Sequence, residues 1–232
     1  MEGKLSRVLK IILLIYCVWL NQGISASGQT AVFDIDGNRS GTLLQHSDRF
    51  PWLREDEVIE GTPYLNGNYV NGTVFFKDAV YPNVPLRYNL ASGMMEFKNN
   101  GKEIGINPDL AIRKIIIDSS VFVVDLLRNS ASFFLRLDSG SMVLLKKVES
   151  KFYERVPAKA MQDAKNAHFK RLKDTYYYRL NRGPVVKIDN VKRFLESLPE
   201  KKSEMTTYIE REKIRLKEEG DYRKVIKYFN SL

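Results

Sequence analysis

From Glu60 to Ile188 the chain is patterned for strands. Tyr69, Val70, Thr73, Val74, Phe75 and Phe76 form a β-branched and aromatic run, and Val84–Leu90 forms a second. Such residues fit a pleated, half-buried surface. Ala91-Ser92-Gly93 turns into Met94–Lys98, and Asn99-Asn100-Gly101 follows as a hairpin signal. Asn and Gly tolerate the positive φ that tight hairpin turns need. Ile104 and Ile106 alternate, Asn107-Pro108-Asp109 breaks the pattern, and Ile112–Ile117 and Val121–Leu127 are apolar runs of strand length. Phe133, Leu135 and Leu137 alternate with Phe134, Arg136 and Asp138. Ser139-Gly140 then turns into Met142–Val148. Tyr176–Leu180 and Val185–Ile188 flank a last hairpin candidate, Asn181-Arg182-Gly183-Pro184. Residues 158–170 fit a helix or a long loop, and residues 27–55 have no sustained period.

After Ile188 the period changes to that of a helix. Val191, Phe194, Leu195 and Leu198 stand at i, i+3, i+4 and i+7, with Asp189 or Asn190 as cap and Pro199 as the break. Ser203 opens a second helix with Met205, Tyr208 and Ile209 on one face. Gly220-Asp221 precedes a third, striped by Tyr222, Val225, Ile226 and Phe229. Short strands joined by turns, then helices, define an α+β chain. The expectation is a mainly antiparallel, curved sheet or partial barrel followed by a C-terminal helical segment. The four apolar residues of the last helix are expected to be buried.

The N-terminus is patterned differently. Lys4, Arg7 and Lys10 precede a ten-residue apolar run, Ile11–Leu20, then short polar residues and a small Ala26. This is the layout of a cleavable export leader, and the run is shorter than the ~20 residues of a spanning helix. The expected organisation is a signal peptide over residues 1–26, a β-rich domain over 27–188 and a basic helical tail over 189–232 packed on it. The expected location is periplasmic or extracellular. Cys17 is the single cysteine and lies in the leader, so the mature chain has no disulfide even in a compartment that permits one. Its core comes from ordinary packing, for which 44% hydrophobic residues suffice.

Charge is uneven. Residues 27–150 carry 13 Lys+Arg against 15 Asp+Glu, whereas residues 151–232 carry 21 against 12. A basic surface of this kind faces an anionic partner: an envelope surface or an acidic protein. Export argues against nucleic acid. Arg223, Lys224 and Lys227, beside the apolar stripe of the last helix, are the expected contacts with an anionic surface.

Motifs for catalysis are sparse. His46 and His168 do not form a metal-ligand spacing, and neither a Gly-x-Ser-x-Gly elbow nor a phosphate-binding loop occurs. No cofactor is implied. Asp34, Asp36, Asn38 and Ser40 begin like a calcium loop, but Arg39 and Gln45 stand where its Gly and Glu belong. Ala31-Val32-Phe33-Asp34-Ile35-Asp36-Gly37 resembles the first motif of haloacid-dehalogenase-like phosphatases. That resemblance implies Asp34 as nucleophile, Asp36 as general acid and base, and a magnesium ion. The chain departs from it at Asn38-Arg39, where the family has Thr-Leu, and in lacking the later acidic motif. A wider set of strings comprises Glu60–Asn66 (EGTPYLN), Val84–Asn89, Met95-Glu96-Phe97 and the terminal Tyr228-Phe229-Asn230-Ser231-Leu232. Together they resemble uncharacterised exported proteins of the Bacteroidetes type. This resemblance implies a Gram-negative envelope or secreted location and assigns no catalytic residue.

Three readings of function follow. The first is a non-catalytic exported envelope protein, a sheet platform whose basic tail binds a partner or anionic surface. The second is a periplasmic carrier of a lipid or apolar ligand. The third is a magnesium-dependent phosphatase using Asp34 and Asp36. The first two differ in whether the sheet's interior is filled by side chains or left open.

Overall fold

The computed structural model describes residues 44–46, 58–99, 101–158 and 163–232. The leader, its cleavage point, Asp34, Asp36 and the calcium-like loop lie outside the described residues, as does the side chain of His46. The strands are β1 (Leu44–His46), β2 (Ile59–Glu60), β3 (Val70–Phe76), β4 (Val80–Asn89), β5 (Met94–Asn99), β6 (Lys102–Ile106), β7 (Ile112–Ile117), β8 (Ser120–Leu127), β9 (Ser130–Arg136), β10 (Met142–Lys147), β11 (Ser150–Tyr153), β12 (Ala167–Arg171), β13 (Thr175–Leu180) and β14 (Val185–Lys187). Three helices follow: α1 (Val191–Glu196), α2 (Lys202–Arg211) and α3 (Glu219–Ser231).

Eleven strands form one curved sheet in the order β1-β6-β5-β4-β3-β7-β8-β9-β10-β13-β14, curled into a half-barrel. Every pairing in it is antiparallel. A smaller sheet, β11-β12-β2, pairs β12 with β2 in parallel. The described part of the 158–170 stretch, residues 163–170, is not a helix: β12 begins at Ala167, and Val156 bridges to Lys165.

The turns explain the hairpins. Arg128 and Asn129, the two residues between β8 and β9, both have positive φ (51° and 66°). That is the primed-turn geometry whose twist matches the flanking strands. In β3 a Cβ on Gly72 would lie 2.5 Å from the Ile116 carbonyl oxygen and 2.8 Å from Leu86 Cδ1. Only glycine lets β4 and β7 flank β3 this closely.

The concave face is filled. Leu86, Met95, Ile106, Ile115, Phe122 and Phe133 are all fully buried there. The helices cover the continuation of this face on β10 and β13, where Met142, Leu144, Tyr176 and Tyr178 meet Phe194, Met205, Ile209, Ile226 and Phe229. At that end the sheet also bends back in the opposite sense. Val185 of β14 packs near Val123 and Leu127 of β8 around Phe134, Val143, Leu145 and Tyr177, and Arg179 pairs with Asp125 beside them. Phe134, read from its alternation with Leu135 as lying on the polar face, is 1% exposed. Strands buried on both faces lose the apolar–polar alternation, as Phe133-Phe134-Leu135 and Val143-Leu144-Leu145 show.

The final helix is fastened by specific contacts. Tyr222, Val225, Ile226 and Phe229 are buried, and Tyr222 stacks on Tyr176 with centroids 3.9 Å apart. The Asn230 side chain accepts a hydrogen bond from the Met142 amide and donates one to its carbonyl, each at 2.8 Å. Gly140 makes room for it, since a Cβ there would fall 2.5 Å from Asn230 Nδ2. At the other end of α3, Glu219 accepts from Lys146 at 2.7 Å and from Arg223 at 2.8 Å. Burial disfavours the Glu219 anion, but these two cations outweigh it and hold the carboxyl below the usual glutamate range.

Two outcomes follow. Phe229→Ala removes a fully buried ring and is expected to cost about 3–5 kcal/mol in a urea titration; an unchanged midpoint would mean the helix contributes nothing to the fold. The lowered Glu219 carboxyl adds stability above its unfolded pKa of about 4.3 and loses it as pH falls through the folded value. The stability gap between the protein and Glu219→Gln should therefore close on acidification from pH 6 toward about pH 3. A gap that widened in acid would refute the assignment.

Candidate functional site: a pocket at the half-barrel mouth and its basic border

Where the concave face opens at one end, three segments converge. The β4–β5 turn contributes Leu90–Gly93, the start of β9 contributes Ser130–Phe133, and the β10–β11 connection contributes Lys147–Lys151. The Ser150 amide donates to the Leu90 carbonyl (3.0 Å), joining the first and third of these, and the Leu172 amide, just after β12, donates to the Glu149 carbonyl (2.9 Å). Between them lies a pocket of about 420 Å³. Tyr88, Leu90, Pro108 and Phe133 form its apolar wall, and Ser92, Lys147, Glu149, Ser150 and Lys151 also border it; Ser130 and Ser132, opposite Leu127 and Asp125, stand on the other face of β9 from Phe133. Lys147 and Glu149 are paired at 3.3 Å. Ser150 is only 8% exposed, yet its Oγ makes no hydrogen bond to a described residue. A buried hydroxyl without a partner carries its full desolvation cost. Burial also pushes the Tyr88 hydroxyl above the usual tyrosine range, with Glu149 adding to the shift.

The small sheet borders this pocket. In its antiparallel pairing Lys151 stands opposite Lys170 and Tyr153 opposite His168, so these four side chains share one face. Tyr153 and His168 are stacked, 5.1 Å between centroids. Lys151 and Lys170 are both exposed, and neither forms an ion pair with a described carboxylate. Like charges directly opposite across two strands repel.

The expected tail contacts are placed differently. Arg223 is committed to structure: it pairs with Glu219 and donates to the Leu137 carbonyl at 2.6 Å. Lys224 and Lys227 are exposed on α3, away from its buried stripe. The basic excess does not sit mainly in the helices. Residues 151–188 carry ten Lys+Arg against three Asp+Glu, whereas 189–232 carry eleven against nine. The excess belongs to β11–β14, and the notion of a distinctly basic helical tail is corrected accordingly. Treating 151–232 as one block hid this, and dividing the charge at Ile188 would have revealed it. Nothing in the sequence marked Ser150, because its isolation depends on chain segments far apart.

A second charged cluster lies on the opposite face of β4–β6. Arg87 is 8% exposed and Glu96 1%; they pair at 2.8 Å, and Asn89 donates to Glu96 at 2.8 Å. The guanidinium is sandwiched by the rings of Tyr64 (3.5 Å) and Tyr69 (4.3 Å), with Glu103 at 3.5 Å. Burial pushes the Tyr69 hydroxyl well above its ordinary range, although Arg87 opposes this. The Tyr64 segment is tied to β4 by hydrogen bonds from the Leu65 amide to the Tyr88 carbonyl and from the Leu90 amide to the Pro63 carbonyl. The cluster thus pins the chain before β3 onto the sheet.

Among the described residues, no group of three or more His, Cys, Asp or Glu could hold a metal ion. No described helix is long and apolar enough to cross a membrane. No family model, curated protein or solved structure matches this chain. The antiparallel sheet also differs from the parallel, helix-flanked sheet that the phosphatase resemblance implies.

Arg87→Ala strands the Glu96 carboxylate inside the protein and should cost about 3–5 kcal/mol in chemical denaturation. Replacing both partners, Arg87→Met with Glu96→Leu, should recover most of that loss. A double variant as unstable as the single one would show that the pair does not act as a unit.

Proposed function

We propose that the protein is a non-catalytic, exported binding protein that docks an anionic lipid surface through the β11–β12 ribbon. The observation that carries this reading is the exposed Lys151–Lys170 cross-strand pair, two like-charged residues at opposing positions on one strand face, neither ion-paired with a described carboxylate. An arrangement that costs stability in isolation is relieved when phosphate groups approach. The neighbouring surface fits a lipid interface. Tyr153, 37% exposed, has a ring and a polar tip, and Leu172 at the end of β12 is as exposed. Side chains of this kind sit at the boundary between headgroups and acyl chains. The filled concave face supports this reading over a carrier with an open apolar interior.

The test is vesicle co-sedimentation with purified protein. Binding to vesicles containing phosphatidylglycerol should exceed binding to pure phosphatidylcholine and should fall with added salt. Each lysine near such a surface is worth about 1 kcal/mol, so Lys151→Glu with Lys170→Glu should weaken binding at least about tenfold. Lys224→Glu with Lys227→Glu should weaken it much less. Equal binding to neutral vesicles, or an undiminished double reversal at the ribbon, would overturn the proposal. Capture by a soluble polyanion without preference for vesicles would point to an acidic protein partner instead.

A further inference from the structure

We infer that Asn66-Gly67 is a site of spontaneous covalent modification, at which the asparagine becomes aspartate and isoaspartate, while the sheet holds the same dipeptide at Asn71-Gly72 unreactive. This inference does not depend on the lipid-surface reading. The reaction consumes only water. The Gly67 nitrogen attacks Asn66 Cγ, a C–N bond forms, and the displaced side-chain nitrogen leaves as ammonia, carrying the proton that the Gly67 nitrogen gives up. Water then opens the resulting succinimide ring at either carbonyl. Opening at Cγ gives aspartate. Opening at the main-chain carbonyl leaves the chain running through Cγ, as isoaspartate. Glycine after the asparagine favours the attack because it has no Cβ to obstruct the approach.

Asn66 and Asn71 are both exposed and both precede glycine, so access and local sequence do not separate them. The backbone does. Asn66 and Gly67 lie in a bend outside any strand, and the Gly67 amide makes no hydrogen bond to a described residue. A Cβ built on Gly67 meets no heavy atom within 4 Å, so the nitrogen has open space around it. Asn71 and Gly72, by contrast, are inside β3. Asn71 stands opposite Pro85, and Gly72 stands between Val84 of β4 and Ile117 of β7. Extended backbone keeps the following nitrogen away from the side-chain carbonyl carbon, and ring closure requires rotation about ψ out of the strand region. At Asn71 that rotation would pull β3 from both neighbours, with the Ile116 carbonyl oxygen only 2.5 Å from where a Gly72 Cβ would lie. The reaction there has to wait for local opening of the sheet.

The site sits at a structurally sensitive place. Asn66 lies between Leu65, whose amide is bonded to the Tyr88 carbonyl, and Tyr69, whose ring lies over the Arg87 guanidinium with that of Tyr64. Isoaspartate inserts an extra methylene into the main chain between these anchors, and either product adds a carboxylate. The modification therefore alters the crest of the segment that Arg87 pins to the sheet.

Purified full-length protein is incubated in mildly alkaline buffer, and peptide mapping by mass spectrometry follows the mass gained when an amide becomes an acid. Asn66 and Asn71 fall in one tryptic peptide, Glu55 to Lys77, so fragmentation assigns the change to one or the other. In the folded protein Asn66 should react at least about tenfold faster than Asn71, because only Asn71 requires opening of the sheet. In concentrated urea the two rates should converge. Gly67→Ala should slow the reaction at Asn66 and leave the melting temperature unchanged, since the new Cβ has room. Equal rates in the folded protein, or no conversion at Asn66, would overturn the inference. So would an Asn71 that lags as far behind in urea, because its protection would then owe nothing to the sheet.

Discussion

The curl of the main sheet rests on the shortness of one connection. β6 and β7 run in the same direction and lie on opposite flanks of the β5-β4-β3 strip, yet only residues 107–111 join them. In a flat sheet the link would cross four strand spacings, about 19 Å, and also return along the length of a strand. The six peptide steps from Ile106 to Ile112 reach at most about 21 Å when fully extended. The sheet must curl so that a chord replaces the arc. Asp109 shapes the crossing by accepting from the Ala111 amide, and Arg113 ties its far end to the Phe76 and Lys77 carbonyls. Curling creates the concave core, and Pro108 of the same crossing becomes part of the pocket wall.

A curled sheet still has an open continuation to cover. The chain covers it with its own last residues, which is why the C-terminal helices belong to the core. Asn230 pairs with the backbone of Met142 as a neighbouring strand would, and the absence of a side chain at Gly140 admits it. Tyr178 donates to Ser197 Oγ and Tyr222 to the Leu216 carbonyl, so the rings at this junction bury their apolar bodies with their hydroxyls satisfied. The covering is therefore specific in register, beyond what a greasy stripe alone would define.

The protein treats its charges in two ways. Arg87 and Glu96 are withdrawn from water but paired with each other, with Asn89 and with two tyrosine rings, and so serve the fold. Lys151 and Lys170 remain in water and unmatched by described carboxylates, while the Ser150 Oγ is withdrawn from water without a described hydrogen-bond partner. Folding accounts for the first group. The second group has no described carboxylate or hydrogen-bond partner.

Much of the secondary structure was legible from local chemistry. The β-branched runs, the Asn/Gly and Pro breaks and the 3.6-residue stripes after Ile188 act over a few residues, and Asn190 caps α1 as its position suggested. The Arg128-Asn129 turn was missed because arginine is not a residue that announces positive φ. The burial of Phe134, the conversion of residues 167–171 from loop or helix to strand, and the commitment of Arg223 to Glu219 and Leu137 were likewise not legible. Each depends on partners dozens of residues away. The sequence by itself determined the period, the class α+β and the amphipathic faces, because these follow from side chains interacting with their own backbone and near neighbours. Only the tertiary structure decided which faces are covered twice, which cations are taken up by ion pairs and that the Ser150 Oγ has no described hydrogen-bond partner, because burial and pairing are properties of segments brought together by the curl.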